Sequence, residues 1–381
     1  MSEKEWLVAG QQVIRRLKQA GFEAYFVGGC VRDLLLGRKI SDIDIVTSAL
    51  PTEMKQIFEH VIPFGEKHGT IVVREACFTF EITTYRGVKR QLAEDLRLRD
   101  FTMNALAMDE HLQLIDLHGF YKDIEAQVIR LCPPASNTLH ADPLRMLRAV
   151  RFYSQLYFQM DEETLDTIQK EVHLLSRMPI ERVASEIEKL WAGIWRKQAL
   201  ELFLQLGFCL PNSFLHRETI IQILPITEHA RYSAEEFWSL IAIMQRELSW
   251  KHFPIAKEMK QLLKIIQALY ERRVRDGWSD LLLYDASLQY AHKIERCYQL
   301  LHPNRESISI QSLNLRYKQL PIHSRKELAI TGADMMKHLR VKPGSWIETM
   351  LRKIERAIIE GKLENRKERL LHFVESEWRK L

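Results

Sequence analysis

Up to about residue 130 the chain shows short apolar runs broken by turn residues; beyond that a 3.6-residue apolar period takes over. The opening stretch Glu5–Ala20 already has the helical period. Ala24–Val27 is a compact apolar run stopped by Gly28-Gly29, which predicts a buried strand ending in a tight turn. Val31–Leu36 reads as a short helix closed at Gly37. Ile43–Val46 is predicted as a second strand. Gly69–Arg74 and Phe78–Thr84, rich in Val, Ile, Thr and Phe, are predicted as a hairpin. Ala105–Met108 and Leu112–Asp116 add two short strands. From Asp142 onward the segments Asp142–Leu156, Glu162–His173, Glu181–Trp191, Lys197–Leu206, Ala234–Arg246 and Ala256–Arg273 are all amphipathic at helical spacing. Pro179, Pro211, Pro225, Pro254, Pro303, Pro321 and Pro343 punctuate them. With no tandem repeat and no long Gly/Ser linker, the pattern predicts an α/β head with a small mixed or antiparallel sheet, followed by an elongated all-α remainder.

A length of 381 residues exceeds one ordinary core and predicts two or more domains. A hydrophobic share of 46% supplies enough apolar material for them, which excludes a mainly disordered or collagen-like chain. Apolar stretches such as Leu240–Met244 fall far short of a bilayer span, and the charged start Met1–Trp6 leads into no apolar leader. The expectation is a cytoplasmic protein with no membrane partner. Cys30, Cys77, Cys132, Cys209 and Cys297 form no CxxC pair and are expected to be buried free thiols in a reducing compartment. The net charge of +5 permits a nucleic-acid partner but fits a solvated surface equally well.

Four stretches carry chemistry. In Gly28-Gly29-Cys30-Val31-Arg32-Asp33, two glycines after a strand bring the backbone close to a bulky group, and Arg32 adds a charge: a phosphate cradle, or merely a turn. In Ser41-Asp42-Ile43-Asp44-Ile45, strand alternation puts Asp42 and Asp44 on one face and Ile43 and Ile45 in the core. Side by side, the carboxylates repel and call for a divalent cation; Mg²⁺ suits few protein oxygens plus phosphate. The alternative is an exposed strand edge. In Arg99-Asp100-Phe101-Thr102-Met103-Asn104-Ala105, Arg99 and Asn104 are placed to meet a ribose and triphosphate, or Asp100 caps the next element. Finally, Asp142-Pro143 reads as an N-cap and first helical residue. Asp142, Arg145, Arg148 and Arg151 recur every third position opposite Met146, Leu147 and Val150. Three arginines in seven residues make a one-signed face suited to polyphosphate or RNA.

Together these residues resemble the bacterial-type (class II) tRNA nucleotidyltransferases of the polymerase-β superfamily. Gly28 to Asp33 with Asp42-Ile43-Asp44 is similar to that family's metal and triphosphate motif, Arg99 to Ala105 to its ribose motif, and Asp142 to Arg151 to its nucleotide-template helix. Glu181 to Leu190 resembles the neck helix, and Leu320 to Glu368 resembles the tail of Gram-positive members. The resemblance implies a nucleotidyltransferase head over 1–139, a helical neck over 140–200, a body over 201–310 and a tRNA-binding tail over 311–381. It further implies that Asp42 and Asp44 are catalytic and hold Mg²⁺. Gly28, Gly29, Arg32, Arg99, Asn104, Asp142, Arg145, Arg148 and Arg151 would bind the nucleotide. Glu81 is either a third carboxylate or an outward-facing strand residue. The partners implied are the tRNA acceptor arm with its 3′ end, and CTP.

The chain departs from the family twice. Ala141 stands where the template motif has a glutamate, and only eight residues, Arg86–Ala93, connect Tyr85 to Glu94 where full CCA-adding members carry a longer loop. The short form resembles the subgroup that adds two cytidines and leaves the terminal adenosine to a separate A-adding enzyme. A full CCA-adding enzyme using CTP and ATP is the alternative; a poly(A) polymerase and a non-catalytic RNA-binding relative are the others. Cytosine suits the template pair: Asp142 accepts from its amino group while Arg145 donates to N3 and O2. Uracil and guanine would set a carbonyl against the carboxylate; adenine would not, so ATP is not excluded by this pair alone.

Overall fold

The computed structural model describes residues 2–62, 66, 69–208, 210, 215–228, 233–245 and 255–380. Cys209, Pro211, Arg246 and Pro254 lie outside them. The chain forms two compact units, residues 1–220 and 221–381.

The first unit opens with α1 (Glu3–Gln19), begun by a capping box at Ser2, then β1 (Ala24–Val27), α2 (Gly29–Leu35), β2 (Asp44–Thr47) and α3 (Pro51–Ile57). β3 (Val61–Ile62), β4 (Thr70–Glu75) and β5 (Phe78–Thr84) follow, then α4 (Leu92–Arg97), β6 (Ala107–Met108) and β7 (Leu114–Ile115). The seven strands make one mixed sheet in the order β3-β4-β5-β2-β1-β6-β7, with β2 and β5 parallel and the other pairs antiparallel. The expected hairpin is present as β4–β5, turned through Ala76 in the left-handed region. β6 is half its expected length because Thr102–Asn104 make a 3₁₀ turn instead of extending.

Both sheet faces are covered. Val13, Ile14 and Leu17 of α1 are fully buried, as are Phe26, Ile45, Phe80 and Ile82 of the sheet. Gly10 lets the helix approach: a Cβ there would lie 2.8 Å from the Phe26 ring. A second cluster gathers Val27, Val46, Tyr85, Leu92, Leu96 and Cys132. Cys30, Cys132 and Cys297 are buried free thiols as expected. Cys77 departs from that expectation because it sits at the exposed β4–β5 turn.

Helices dominate the rest of the unit: α5 (Tyr121–Glu125), then β8 (Val128–Ile129), α6 (Ala135–Ala141), α7 (Arg145–Leu156), β9 (Gln159–Met160), α8 (Glu162–Glu171), α9 (Ile180–Trp191), α10 (Arg196–Leu206) and α11 (Arg217–Ile223), whose end crosses into the second unit. On α7 the buried residues include Met146, Leu147 and Val150, as its period predicted. Asp142 is not its N-cap, however. It lies in an extended conformation at the end of α6, and α7 begins three residues later. Its carboxylate still accepts the Leu144 N–H at 3.2 Å, so the capping bond survives in the turn ahead of the helix. The second unit is helical: α12 (Ala234–Met244), α13 (Lys257–Asp276), α14 (Asp280–Leu301), α15 (Ile310–Lys318), α16 (Gly332–Leu339), α17 (Trp346–Ile359) and α18 (Lys367–Trp378). Among the described residues no helix is long and apolar enough to cross a membrane.

The seating of α7 against the α9–α10 junction depends on Gly193. A Cβ there would fall 2.3 Å from Ser154 Oγ and 2.6 Å from its carbonyl oxygen, while the Trp195 N–H donates to that same oxygen. Backbone cannot yield as a side-chain tip can. Gly193→Ala is therefore expected to destabilise the protein by about 1–3 kcal/mol in denaturant unfolding. An unchanged midpoint would mean the junction relaxes freely.

Candidate active site

The β1–β2–β5 register assembles the acidic centre. Asp44 opens β2 and stands opposite Val27 of β1 and Glu81 of β5. Parallel neighbours in register share a face, so Glu81 is brought beside Asp44. Ile43 and Ile45 are buried, as alternation predicted. Asp42 lies two residues before the strand, exposed, its Oδ2 accepting from the Ser41 hydroxyl at 3.1 Å. The pair therefore straddles a strand start and does not sit within a strand. Burial pushes the Asp44 carboxyl up to about 6; the Arg99 guanidinium pulls it down, and Glu81 and Asp42 add like charge.

Gly28 has φ +76°, and a Cβ on it would lie 3.3 Å from Arg99 Nη1 and 3.4 Å from Asp44 Oδ2. Only glycine combines that backbone with so close an approach. Arg32 is buried, its Nη1 donating to Asn104 Oδ1 at 2.8 Å and its Nε and Nη2 to Asp33. Asn104 in turn donates to Asp100 Oδ1 at 3.1 Å, and Arg148 pairs with Asp100 at 2.8 Å. Burial works to raise the Asp100 carboxyl, but Arg148, Asn104 and Arg145 outweigh it and hold it below the usual range. Arg99 donates twice to the fully buried Asp95, at 3.0 and 2.9 Å. Arg151 pairs with Glu186 at 2.8 Å and lies over the Phe152 ring at 4.1 Å; Arg32 lies over the same ring at 5.0 Å.

Arg145 and Asp142 are less closely joined than their spacing suggested. Arg145 donates to the carbonyls of Thr138 and Leu98, at 3.2 and 3.1 Å, while Asp142 pairs with Arg182 at 2.8 Å. Asp44 lines three cavities. A small one of about 140 Å³ joins it to Gly28, Arg99, Asn104, Arg145 and Arg148. A second, of about 530 Å³, leads past Arg32 and Arg151 to Lys189. A third, also about 530 Å³, holds Asp42, Glu81 and Trp6 and has no cation in its lining. Sequence reasoning missed Arg86, which lines the small cavity just beyond β5, and Asp100 as the shared partner of Asn104, by a hydrogen bond, and of Arg148, by an ion pair. Arg86 had one readable signal, a cation at the end of the strand that carries Glu81.

Residues 24–130 match the Poly A polymerase head domain, 157–208 the probable RNA and SrmB-binding site of polymerase A, and 232–374 the putative tRNA nucleotidyltransferase domain 2. A CCA-adding enzyme of Bacillus cereus is 35% identical, the match covering 95% of this chain and 96% of the relative. One from Bacillus anthracis is also 35% identical, covering 93% and 95%. The crystal structure of Bacillus stearothermophilus CCA-adding enzyme in complex with CTP superposes with a TM-score of 0.84 at 34% identity, covering 98% and 97%. The chain belongs to the CCA-adding enzyme family of tRNA nucleotidyltransferases. The Thermotoga maritima CCA-adding enzyme complexed with tRNA shares the fold at a TM-score of 0.61 and 21% identity.

For a CCA-adding family member the acidic centre fits a divalent ion. Asp44 is a carboxylate that burial raises, with Glu81 and Asp42 adding like charge, the situation a cation relieves, and Asp42 would supply a second hard oxygen donor. Among the described residues no cluster of three His, Cys, Asp or Glu stands preassembled for a metal. A carboxyl raised to about 6 favours the metal-free fold below the ordinary carboxyl range and loses that advantage as pH rises to about 6. Asp44→Asn should therefore stabilise the metal-free protein by roughly 1–3 kcal/mol at pH 8 and by little at pH 4. Added Mg²⁺ should raise the melting temperature of the wild type only. An equal effect of the substitution at both pH values would contradict the assignment.

Proposed function

We propose that this chain adds two cytidines, from CTP, to the 3′ end of tRNA, releasing pyrophosphate, and stops there. The observation that supports the stop is how the connection Arg86–Ala93 is held. Its Arg86 N–H donates to Asp95 Oδ1 at 3.0 Å and its Lys89 N–H to Glu94 Oε2 at 2.7 Å. Gly87, at φ +92°, lies under the Glu94 side chain, which a Cβ there would meet at 2.2 Å. A segment this short, bonded to α4 at Arg86 and Lys89 and running into it at Leu92, has no slack to swing toward α7 and re-aim the template pair for adenine. The full CCA-adding reading has its own support in the names of the curated relatives. The terminal adenosine would otherwise come from a separate enzyme.

The roles follow from the chemistry of the side chains. Asp42 and Asp44 are the residues that would hold Mg²⁺, which when bound activates the 3′-hydroxyl and offsets charge on the departing pyrophosphate. Glu81, exposed and in register with Asp44 on the wall of the same cavity, adds carboxylate charge beside the pair. Gly28 and Gly29 admit the nucleotide, Arg99 and Asn104 meet its sugar, and Arg32, Arg148 and Arg151 surround its phosphates. Arg145 spends two of its five N–H donors on Thr138 and Leu98 and keeps three. Its buried Nε has no hydrogen-bond partner. Asp142, with Arg182 and Leu144 each on one oxygen, retains lone pairs for a cytosine amino group.

Given tRNA lacking its CCA end, the enzyme should incorporate two CMP from CTP and nothing from ATP, GTP or UTP. Asp42→Ala or Asp44→Ala should abolish incorporation with tRNA binding retained. Supplied with tRNA ending in CC together with ATP, it should add no adenosine; efficient addition of one would replace the CC-only reading with the full CCA-adding one. Long A tails would point to a poly(A) polymerase, and no incorporation at all to a binding protein.

Asp142→Ala should weaken discrimination against UTP about tenfold to a hundredfold, because the acceptor that opposes the uracil carbonyl is removed. Competition between labelled CTP and UTP measures it. Unchanged discrimination would leave Asp142 only its turn-capping role.

A further inference from the structure

The cavity leading from Asp44 to Lys189 is lined by six cationic side chains, and five of them are already committed. Arg32 is held by Asp33 and Asn104, and Arg38 approaches Asp33 at 3.9 Å. Arg148 pairs with Asp100; Arg151 and Lys189 share Glu186, at 2.8 and 4.0 Å. The sixth, Lys39, is exposed and makes no hydrogen bond or ion pair among the described residues.

Its backbone is nonetheless fixed. The Arg38 N–H donates to the Asp33 carbonyl at 2.8 Å beyond α2. Ile40 is buried, and its N–H donates to Glu3 Oε1 at 3.1 Å. Lys39 thus stands between two anchored residues, three positions ahead of Asp42. The neighbouring guanidiniums carry charges that buried carboxylates largely offset, so their surplus toward a newly arriving anion is small. An uncommitted ammonium keeps its full charge, and its three donors can follow a moving phosphate.

We infer that Lys39 binds the β- and γ-phosphates of the incoming nucleotide and retains hold of the pyrophosphate they become. This rests on the proposal that CTP is the substrate. A phosphate of the RNA backbone has the same chemistry, but the cavity's position beside Gly29 and both aspartates favours the polyphosphate.

The test uses the full-length enzyme with tRNA lacking its CCA end, CTP and Mg²⁺. Cytidine incorporation by the wild type establishes the underlying reading independently; its failure would sink that reading and not Lys39 alone. Lys39→Ala should then raise both the KM for CTP and the inhibition constant for added pyrophosphate about tenfold, with the KM for tRNA unchanged. Lys39→Arg should restore most of both. Because the residue is exposed, the Ala variant should melt with the wild type. Unaltered pyrophosphate inhibition in the Ala variant would overturn the inference. So would a rise in the KM for tRNA alone, which would give Lys39 to the RNA backbone.

Discussion

The Arg148–Asp100 ion pair is the contact on which the site's geometry depends. Asp100 is buried and receives the Asn104 amide and its neighbour's backbone N–H as well as Arg148. Asn104 passes the constraint on to Arg32, which is closed off by Asp33. One continuous chain of charge-assisted bonds therefore runs from α7 to the first turns of α2. A buried carboxylate without such partners would be costly. Arg32, Arg99, Arg148 and Arg151 owe their positions to carboxylates behind them.

That arrangement has an electrostatic signature. A cluster of bare arginines would repel itself and stay mobile until substrate arrived. Here Asp33 and Asp95 hold Arg32 and Arg99 through hydrogen bonds, and Asp100 and Glu186 pair with Arg148 and Arg151, so less side-chain ordering remains for the binding step. Phe152 contributes from the apolar side, its ring near both Arg32 and Arg151. The ring face is a cation–π partner within reach of both like charges.

Local pattern made the strand after α1, the Gly28 turn, the β4–β5 hairpin and the buried stripe of α7 legible, because each is set by spacing within a dozen residues. The nearness of Asp42 to Asp44 on one cavity was legible for the same reason, although the strand begins at Asp44 and not before it. What spacing could not carry was the choice of distant partners. Asp142 bonds Arg182, forty positions away, and Arg145 turns to backbone carbonyls, so a dyad read from adjacency is looser in space. Glu81 comes beside Asp44 through strand register, which a single strand does not reveal, and Arg86 reaches the small cavity from just beyond that strand. Lys39 drew no notice because nothing in the sequence says which cations are already matched.

Asp95 links two regions that a sequence reader would treat separately. Fully enclosed, it accepts the Arg86 amide on one oxygen and both Arg99 donors on the other. The short connection and the Arg99 guanidinium are thus bonded through one carboxylate, and neither can shift without the other registering it. The connection is therefore not a detachable module. A longer segment grafted from a relative would have to bring its own partner for the Asp95 oxygen, or it would alter the aim of Arg99 while apparently changing only a surface loop.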